Sequence, residues 1–310
     1  MTKHSGPSVA LGLWPIAGIT TIGVTQEDAH ATIREAIHRG ITTFDTAYSY
    51  GYDGESDRLL GQYVHSQRDD FHIIGKVGQR WNEQRKRVVN GTPEQLTLDA
   101  EESVRRLGIE CFDLLMLHSI DPNVPLERSM ITMCELHRRG LCHAIGICNV
   151  QVAELSEAQR IAESESIRLH AIQCPLNLIQ QDSQRELIPH AKQKGIQAHV
   201  YWTLMKGLLA GKIHRTHQFA EGDSRPNYDI FQGQQRENAH RIVDELVRLA
   251  QKLNSSPAKL AVGWTLSQPG VEHALVGARK VEQVIEIAEA QPLDTSALEE
   301  INRITREVLN

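Results

Sequence analysis

No stretch of the chain reaches the roughly eighteen consecutive apolar residues that a membrane-spanning helix needs. The N-terminal segment MTKHSGPS lacks the apolar h-region of a signal peptide. Both absences argue against a membrane and for a cytoplasmic protein. Cysteine is scarce: Cys111, Cys134, Cys142, Cys148 and Cys174 are odd in number and form no CxxC pair. That composition argues against a disulfide framework and fits small buried thiols in a reducing compartment. Basic excess is also missing. The net charge of -6 offers no extended cationic face for displacing counterions from nucleic acid. No GxGxxG follows an early strand and there is no Walker loop, so a bound dinucleotide would not be held by the Rossmann fingerprint. No Pro/Ser-rich linker, charge block or repeat divides the chain, and a single domain over 1–310 is expected.

A 40% apolar and 23% charged composition is that of a globular protein able to bury its own core. Helix punctuation is strong in TPEQLTLDAEESVRRLG. Thr92 reads as N-cap, Pro93 as first helical residue and Gln95 as the partner of a capping box. Leu96, Ala100, Val104 and Leu107 then form one stripe before Gly108. The same grammar predicts helices over Thr25 to Gly40 and Glu237 to Leu253, and another opening at Ser256 and Pro257. Between the helices lie unalternating apolar runs: VALGLW, GITTFDT, FHIIGKV, FDLLMLH, CHAIGIC, HAIQCP, QAHVYW and EHALVG. Such runs suit strands buried on both faces. Eight of them alternating with helices predict a (β/α)8 TIM barrel, with eight parallel strands inside a ring of helices and no Rossmann domain. Residues Ile213 to Gly233 read as a loop able to cover a site.

In such a barrel chemistry gathers at the C-terminal ends of the strands. There the sequence places Asp45 and Tyr50 after the second run, Lys76 after the third and His118 after the fourth. A tyrosine has an ordinary pKa near 10, and a neighbouring cation favours its ionised form. Lys76 could be that cation, Asp45 could hold it, and His118 could hydrogen-bond a substrate oxygen. Each residue alone has a plainer reading: a turn cap, a solvated strand end, a core imidazole, a packing ring. Four such groups at successive strand ends favour a site. His214 and His217 have helical spacing for a metal pair, but no carboxylate or thiol joins them, and a solvated loop accounts for them.

The block GITTFDTAYSYG over residues 40–51, followed by Ser56, Asp57, Leu60 and Gly61, resembles the signature of the aldo-keto reductase family. IGKVG, FDLLMLHSID, GLLAGK, GDSR, SPAKLAVGWTLSQPGV and VGAR match that family's order and spacing over nearly the whole chain. The resemblance implies a barrel binding NADP(H), with NAD(H) as the alternative, and a small-molecule carbonyl or alcohol substrate. It implies hydride transfer with Tyr50 as proton donor, Lys76 and Asp45 tuning it and His118 orienting the carbonyl. It further implies that Asn149 and Gln173 hold the nicotinamide carboxamide beside Cys148, which stands where the family has serine and is a weaker donor. Tyr201 matches an aromatic platform for the nicotinamide, with Trp202 and Leu204 after it. Gly277, Arg279, Lys280, Gln283 and Glu286 match the adenosine end, where Arg279 and Lys280 suit a 2'-phosphate. Ile287 replaces a usual asparagine there. Trp14 and Trp81 sit where family barrels line the substrate pocket, though a tryptophan is as often a buried anchor. The resemblance also admits a sugar or polyol dehydrogenase and a nucleotide-sensing regulatory subunit. The early first strand, with no appended N-terminal segment, weighs against the last.

Overall fold

Strands made of consecutive aliphatic residues must be covered on both faces, and a barrel ringed by helices does this without leaving a sheet edge. The computed structural model describes residues 7–18 and 22–309. The start of MTKHSGPS, read above as lacking an h-region, lies outside the described residues. In chain order the strands are β1 (Ser8–Gly12), β2 (Thr43–Asp45), β3 (His72–Val77), β4 (Gln79–Trp81), β5 (Arg87–Val89), β6 (Leu114–Leu117), β7 (Ile145–Cys148), β8 (Leu169–Pro175), β9 (Gln197–Tyr201) and β10 (Val271–Gly277). All eight apolar runs become strands of one closed ring ordered β1-β10-β9-β8-β7-β6-β3-β2, every pair parallel. The remaining two, β4 and β5, form an antiparallel hairpin that the sequence reading had not anticipated.

The helices are α1 (Gln26–His38), α2 (Glu55–Val64), α3 (Pro93–Leu107), α4 (Leu126–Arg138), α5 (Val152–Ser164), α6 (Asp182–Arg185), α7 (Leu187–Gln193), α8 (Gly233–Lys252), α9 (Pro257–Leu266), α10 (Val281–Ala288) and α11 (Thr295–Leu309). The expected stripe of α3 is buried at Leu96, Ala100, Val104 and Leu107. Thr25 does cap α1 through a capping box with Asp28, and Ser256 caps α9 by accepting from the Lys259 amide. The capping box expected at Thr92 and Gln95 is not formed. Asn90 Oδ1 sits closer and accepts from both the amide and the hydroxyl of Thr92, while Gln95 turns its amide to Asp99. Helix α8 starts at Gly233, four residues before the predicted Glu237, because its first turn is polar and carries no stripe to read.

Two separate packing layers follow from strand alternation. Ile73, Leu115, Leu117, Ile145, Ile147 and Ile172 point to the helices, in the main core. Ile74, Leu114, Met116, Cys148 and Ala171 point into the barrel and fill it with a small apolar plug. Above that plug lie the polar residues of the C-terminal mouth. No described helix is long and apolar enough to cross a membrane.

Candidate active site

Lys76 ends the inward series His72, Ile74, Lys76 on β3, so its ammonium is carried up into the mouth by strand alternation alone. It is buried, and its three protons have three acceptors: Asp45 Oδ1 at 2.5 Å, the Thr46 carbonyl at 3.0 Å and the Tyr50 hydroxyl at 3.1 Å. Asp45, the last residue of β2, is itself fixed by Gln173 on β8, whose Nε2 donates to Oδ2 at 2.8 Å. The loop beyond β2 keeps pairing with β3, through Thr46 N to Ile74 O and Tyr48 N to Lys76 O, both 2.9 Å. That pairing delivers Tyr50 onto Lys76. Gly51 then leaves with φ of 101°, a conformation that a side chain would oppose both by strain and by collision with Glu55. Thr46 is tied down by a buried carboxylate, Asp57, which accepts from Thr46 Oγ1 at 2.6 Å and Ser103 Oγ at 2.8 Å.

His118 follows β6 and lies against Tyr50, ring centroids 5.9 Å apart. Its Nδ1 is buried without a hydrogen-bond partner among the described residues. Burial, then the charges of Lys76 and Arg87, hold its pKa well below 6.5, so the imidazole is neutral at pH 7. Burial also raises the Tyr50 pKa above 10, and the opposing pull of Lys76 does not cancel it. Lys76 does pull the phenol down, as expected of a neighbouring cation, but desolvation outweighs it and the hydroxyl stays protonated. Burial works against the charge of Lys76, but Asp45, Tyr50 and Cys148 together outweigh it and keep the ammonium above its ordinary pKa.

Of the residues expected around the nicotinamide, Asn149 has φ of 60° and both ends of its amide engaged: Nδ2 donates to the His118 carbonyl at 2.9 Å and Oδ1 accepts from Tyr201 at 2.7 Å. Cys148 points into the apolar plug, its thiol 3.8 Å from Met116 Sδ. Burial pushes its pKa up despite Lys76, which argues against a reactive thiolate. Tyr201 and Trp202 meet edge to face at 5.3 Å, and Leu204 lies half-buried against the core. After β9 the backbone holds four residues at positive φ, Trp202, Met205, Lys206 and Gly207, the kind of strain that collects at ligand clamps.

Gly277 pairs with Gly12 across β1 and β10, and a side chain on Gly277 would run into Pro15. Arg279 and Lys280 precede α10, whose N-terminus favours an anion. Gln283 caps the Arg279 amide at 2.8 Å, and Glu286 is paired to Lys212 at 2.6 Å. Among the described residues neither Arg279 nor Lys280 has a carboxylate at ion-pair distance. Bare glycine backbone, a strained loop and unpaired cations at a helix N-terminus form a cradle that fits a phosphate-bearing dinucleotide.

Trp14 and Trp81 come together at the mouth. Trp14 stands edge-on to Tyr50 at 5.0 Å, and Trp81 Nε1 donates to the Ser49 carbonyl at 2.9 Å. The hairpin also supplies Arg87, a residue the sequence reading missed, over Trp14 at 4.4 Å and Trp81 at 5.2 Å. The Ile213 to Gly233 loop contains two short 3-10 turns, Arg225–Asn227 and Asp229–Phe231. It brings Tyr228 to Trp202, rings 6.1 Å apart, with Lys206 Nζ 3.9 Å over the Tyr228 ring. His214 and His217 are exposed on this loop.

Comparison with known proteins agrees with this architecture. The sequence model described as "Aldo/keto reductase family" matches residues 8–306. The chain is 33% identical over 309 residues to the aldo-keto reductase YhdN of Bacillus subtilis, covering 97% of this chain and 91% of that protein. It is 29% identical to the NADH-specific methylglyoxal reductase of Escherichia coli, covering 93% and 90%. The structure of a glycerol dehydrogenase from Gluconobacter oxydans superposes with a TM-score of 0.87 at 30% identity, covering 97% of this chain and 92% of that one.

Proposed function

This chain belongs to the aldo/keto reductase family and is a carbonyl-reducing oxidoreductase; from that premise we propose that Tyr50 is its proton donor and NADPH its preferred cofactor. The single observation that carries the assignment is the buried ammonium of Lys76 shared between Asp45 and the Tyr50 hydroxyl.

When bound, the reduced nicotinamide supplies the hydride to the carbonyl carbon. Neutral His118 donates a hydrogen bond that holds the carbonyl oxygen towards Tyr50, and Tyr50 gives that oxygen its proton, leaving the alcohol. Lys76 stabilises the resulting phenolate, and Asp45, steadied by Gln173, keeps Lys76 charged and in place. Help of this acid-base kind is typically worth about two to four powers of ten in rate.

Asn149 and Gln173 are the residues assigned to the carboxamide, with Tyr201 beneath the ring and Trp202, Leu204 and Gly277 along the cofactor path. Cys148 would contribute packing rather than a hydrogen bond. Arg279 and Lys280 would hold a 2'-phosphate, with Gln283 and Glu286 shaping that end, and the absence of a carboxylate at ion-pair distance from either among the described residues supports NADPH. A relative that is NADH-specific makes this preference a matter for measurement. The relatives named for methylglyoxal and glycerol support a small polar carbonyl or alcohol as substrate.

The test is a fluorescence titration with NADPH and NADH, followed by absorbance loss on an aldehyde panel for wild type and Tyr50→Phe. Tighter NADPH binding, with turnover reduced about 10²- to 10⁴-fold by the substitution, is expected. Tight binding with no wild-type turnover on any carbonyl would replace this reading by a nucleotide sensor. Failure to bind either cofactor would sink both.

A further inference from the structure

Arg87 is the cross-strand partner of Trp81 in the β4–β5 hairpin, and its guanidinium lies over the faces of both Trp81 and Trp14. Trp14 in turn abuts the Tyr50 ring. The hairpin is fastened to the loop carrying Tyr50 by the Trp81 to Ser49 hydrogen bond, so the cation has a fixed place beside the reacting hydroxyl. Although the residue as a whole is exposed, its charged end is partly desolvated by the two indoles, which lowers its pKa. The charge is felt at the reacting groups: Arg87 is one of the cations that keep His118 neutral.

Arg80, one strand over on the same hairpin, lies 3.9 Å from Asp99, and Arg225 is paired with Asp223 at 2.5 Å. Among the described residues Arg87 has no acidic partner. Lys206, stacked on Trp202 and Tyr228, adds a second cation to the same mouth, also without an acid at ion-pair distance among the described residues. A guanidinium stacked on flat faces keeps its in-plane N–H groups free, and that fork matches the two oxygens of a carboxylate or the edge of a phosphate.

We propose that Arg87 is a specificity residue that receives an anionic substituent, carboxylate or phosphate, of the carbonyl substrate while its carbonyl group meets Tyr50 and His118. This rests on the reductase reading above. The competing source of the same anionic chemistry is the cofactor's own pyrophosphate, and the experiment separates the two. The aldehydes are 3- and 4-carboxybenzaldehyde, each compared with its uncharged methyl ester, for wild type and for Arg87→Met, which keeps an unbranched stem against the indoles.

The expected result is a wild-type preference for acid over ester of about ten- to hundredfold in kcat/KM for at least one isomer, carried mainly by KM. Arg87→Met should collapse that ratio towards one, and Arg87→Lys should restore part of it. Equal turnover of acid and ester by the wild type overturns the inference while leaving the reductase reading intact. So does a variant that loses acid and ester equally while binding NADPH more weakly, because Arg87 would then serve the cofactor. Absence of wild-type turnover on all four aldehydes overturns both.

Discussion

Gln173 Nε2 donates to Asp45 Oδ2 at 2.8 Å, across 128 residues of sequence, so the carboxylate that fixes Lys76 is itself fixed. Asp45 therefore keeps one oxygen for the lysine and one for the amide. Replacing Gln173 by leucine should lower the single-turnover rate constant at saturating cofactor about ten- to hundredfold, the worth of a hydrogen bond to a buried charge. An unchanged single-turnover rate would mean that Lys76 suffices to orient Asp45.

Lys76 and Asp45 are coupled strongly enough to separate stability from turnover. Lys76→Met strands a buried carboxylate and should destabilise the fold by about 3–5 kcal/mol in urea. Adding Asp45→Asn should return most of that loss, and neither variant should reduce aldehydes. Purely additive losses in the double-mutant cycle would show the pair to be uncoupled.

Asp57 makes the opposite contribution. Burial lifts its pKa from 3.8 to about 6, so the folded state binds its proton more tightly than the unfolded state does. Stability from this group is present at low pH and is lost as pH rises from about 4 through 6. Asp57→Asn should therefore stabilise the protein at pH 8, by an amount on the order of 1–3 kcal/mol. The advantage should vanish near pH 4. A variant equally stabilised at both pH values would contradict the assignment.

His199, on β9 inside the barrel, is buried, and neither ring nitrogen has a hydrogen-bond partner among the described residues. Burial, then repulsion from His273 and His72, keeps its pKa well below 6.5. Between that lowered value and 6.5 the unfolded chain binds more protons, so stability is present above 6.5 and is lost as pH falls below it. His199→Leu should remove about 1 kcal/mol of the fall between pH 7 and 5.5. Parallel denaturation curves at the two pH values would test this, and an unaltered pH slope in the variant would count against it.

Arg279→Gln should raise the Kd for NADPH about ten- to hundredfold and leave that for NADH within about twofold, as expected if the guanidinium meets only the 2'-phosphate. Equal weakening of both would place it on a phosphate common to the two cofactors.

The barrel and its four strand-end groups were legible because both depend on short-range pattern. Consecutive aliphatic residues mark doubly covered strands, and alternation carries Lys76 inward once β3 is placed. Arg87 was not legible, because its hairpin lacks the usual Asn-Gly or Asp-Gly turn. Its chain reversal relies on Asn82 Oδ1 accepting from the Gln84 and Lys86 amides, and on Arg85 at φ of 55°, where glycine would ordinarily stand. The bond between Gln173 and Asp45 is likewise tertiary and leaves no local mark. At Thr92 the local grammar was present, but Asn90, two residues upstream, accepts the amide proton that a capping box gives to Gln95.

The pairing of Ser8–Gly12 with Val271–Gly277 joins the first and last strands of the ring, so a ribosome must deliver almost nine-tenths of the polypeptide before the circle can shut. Until then β1 and β9 present bare sheet edges, and β1 has to be kept from pairing with other growing chains. A chain released after Gln268 should accordingly clump rather than fold, and sedimentation of that fragment against the full-length protein would reveal the difference.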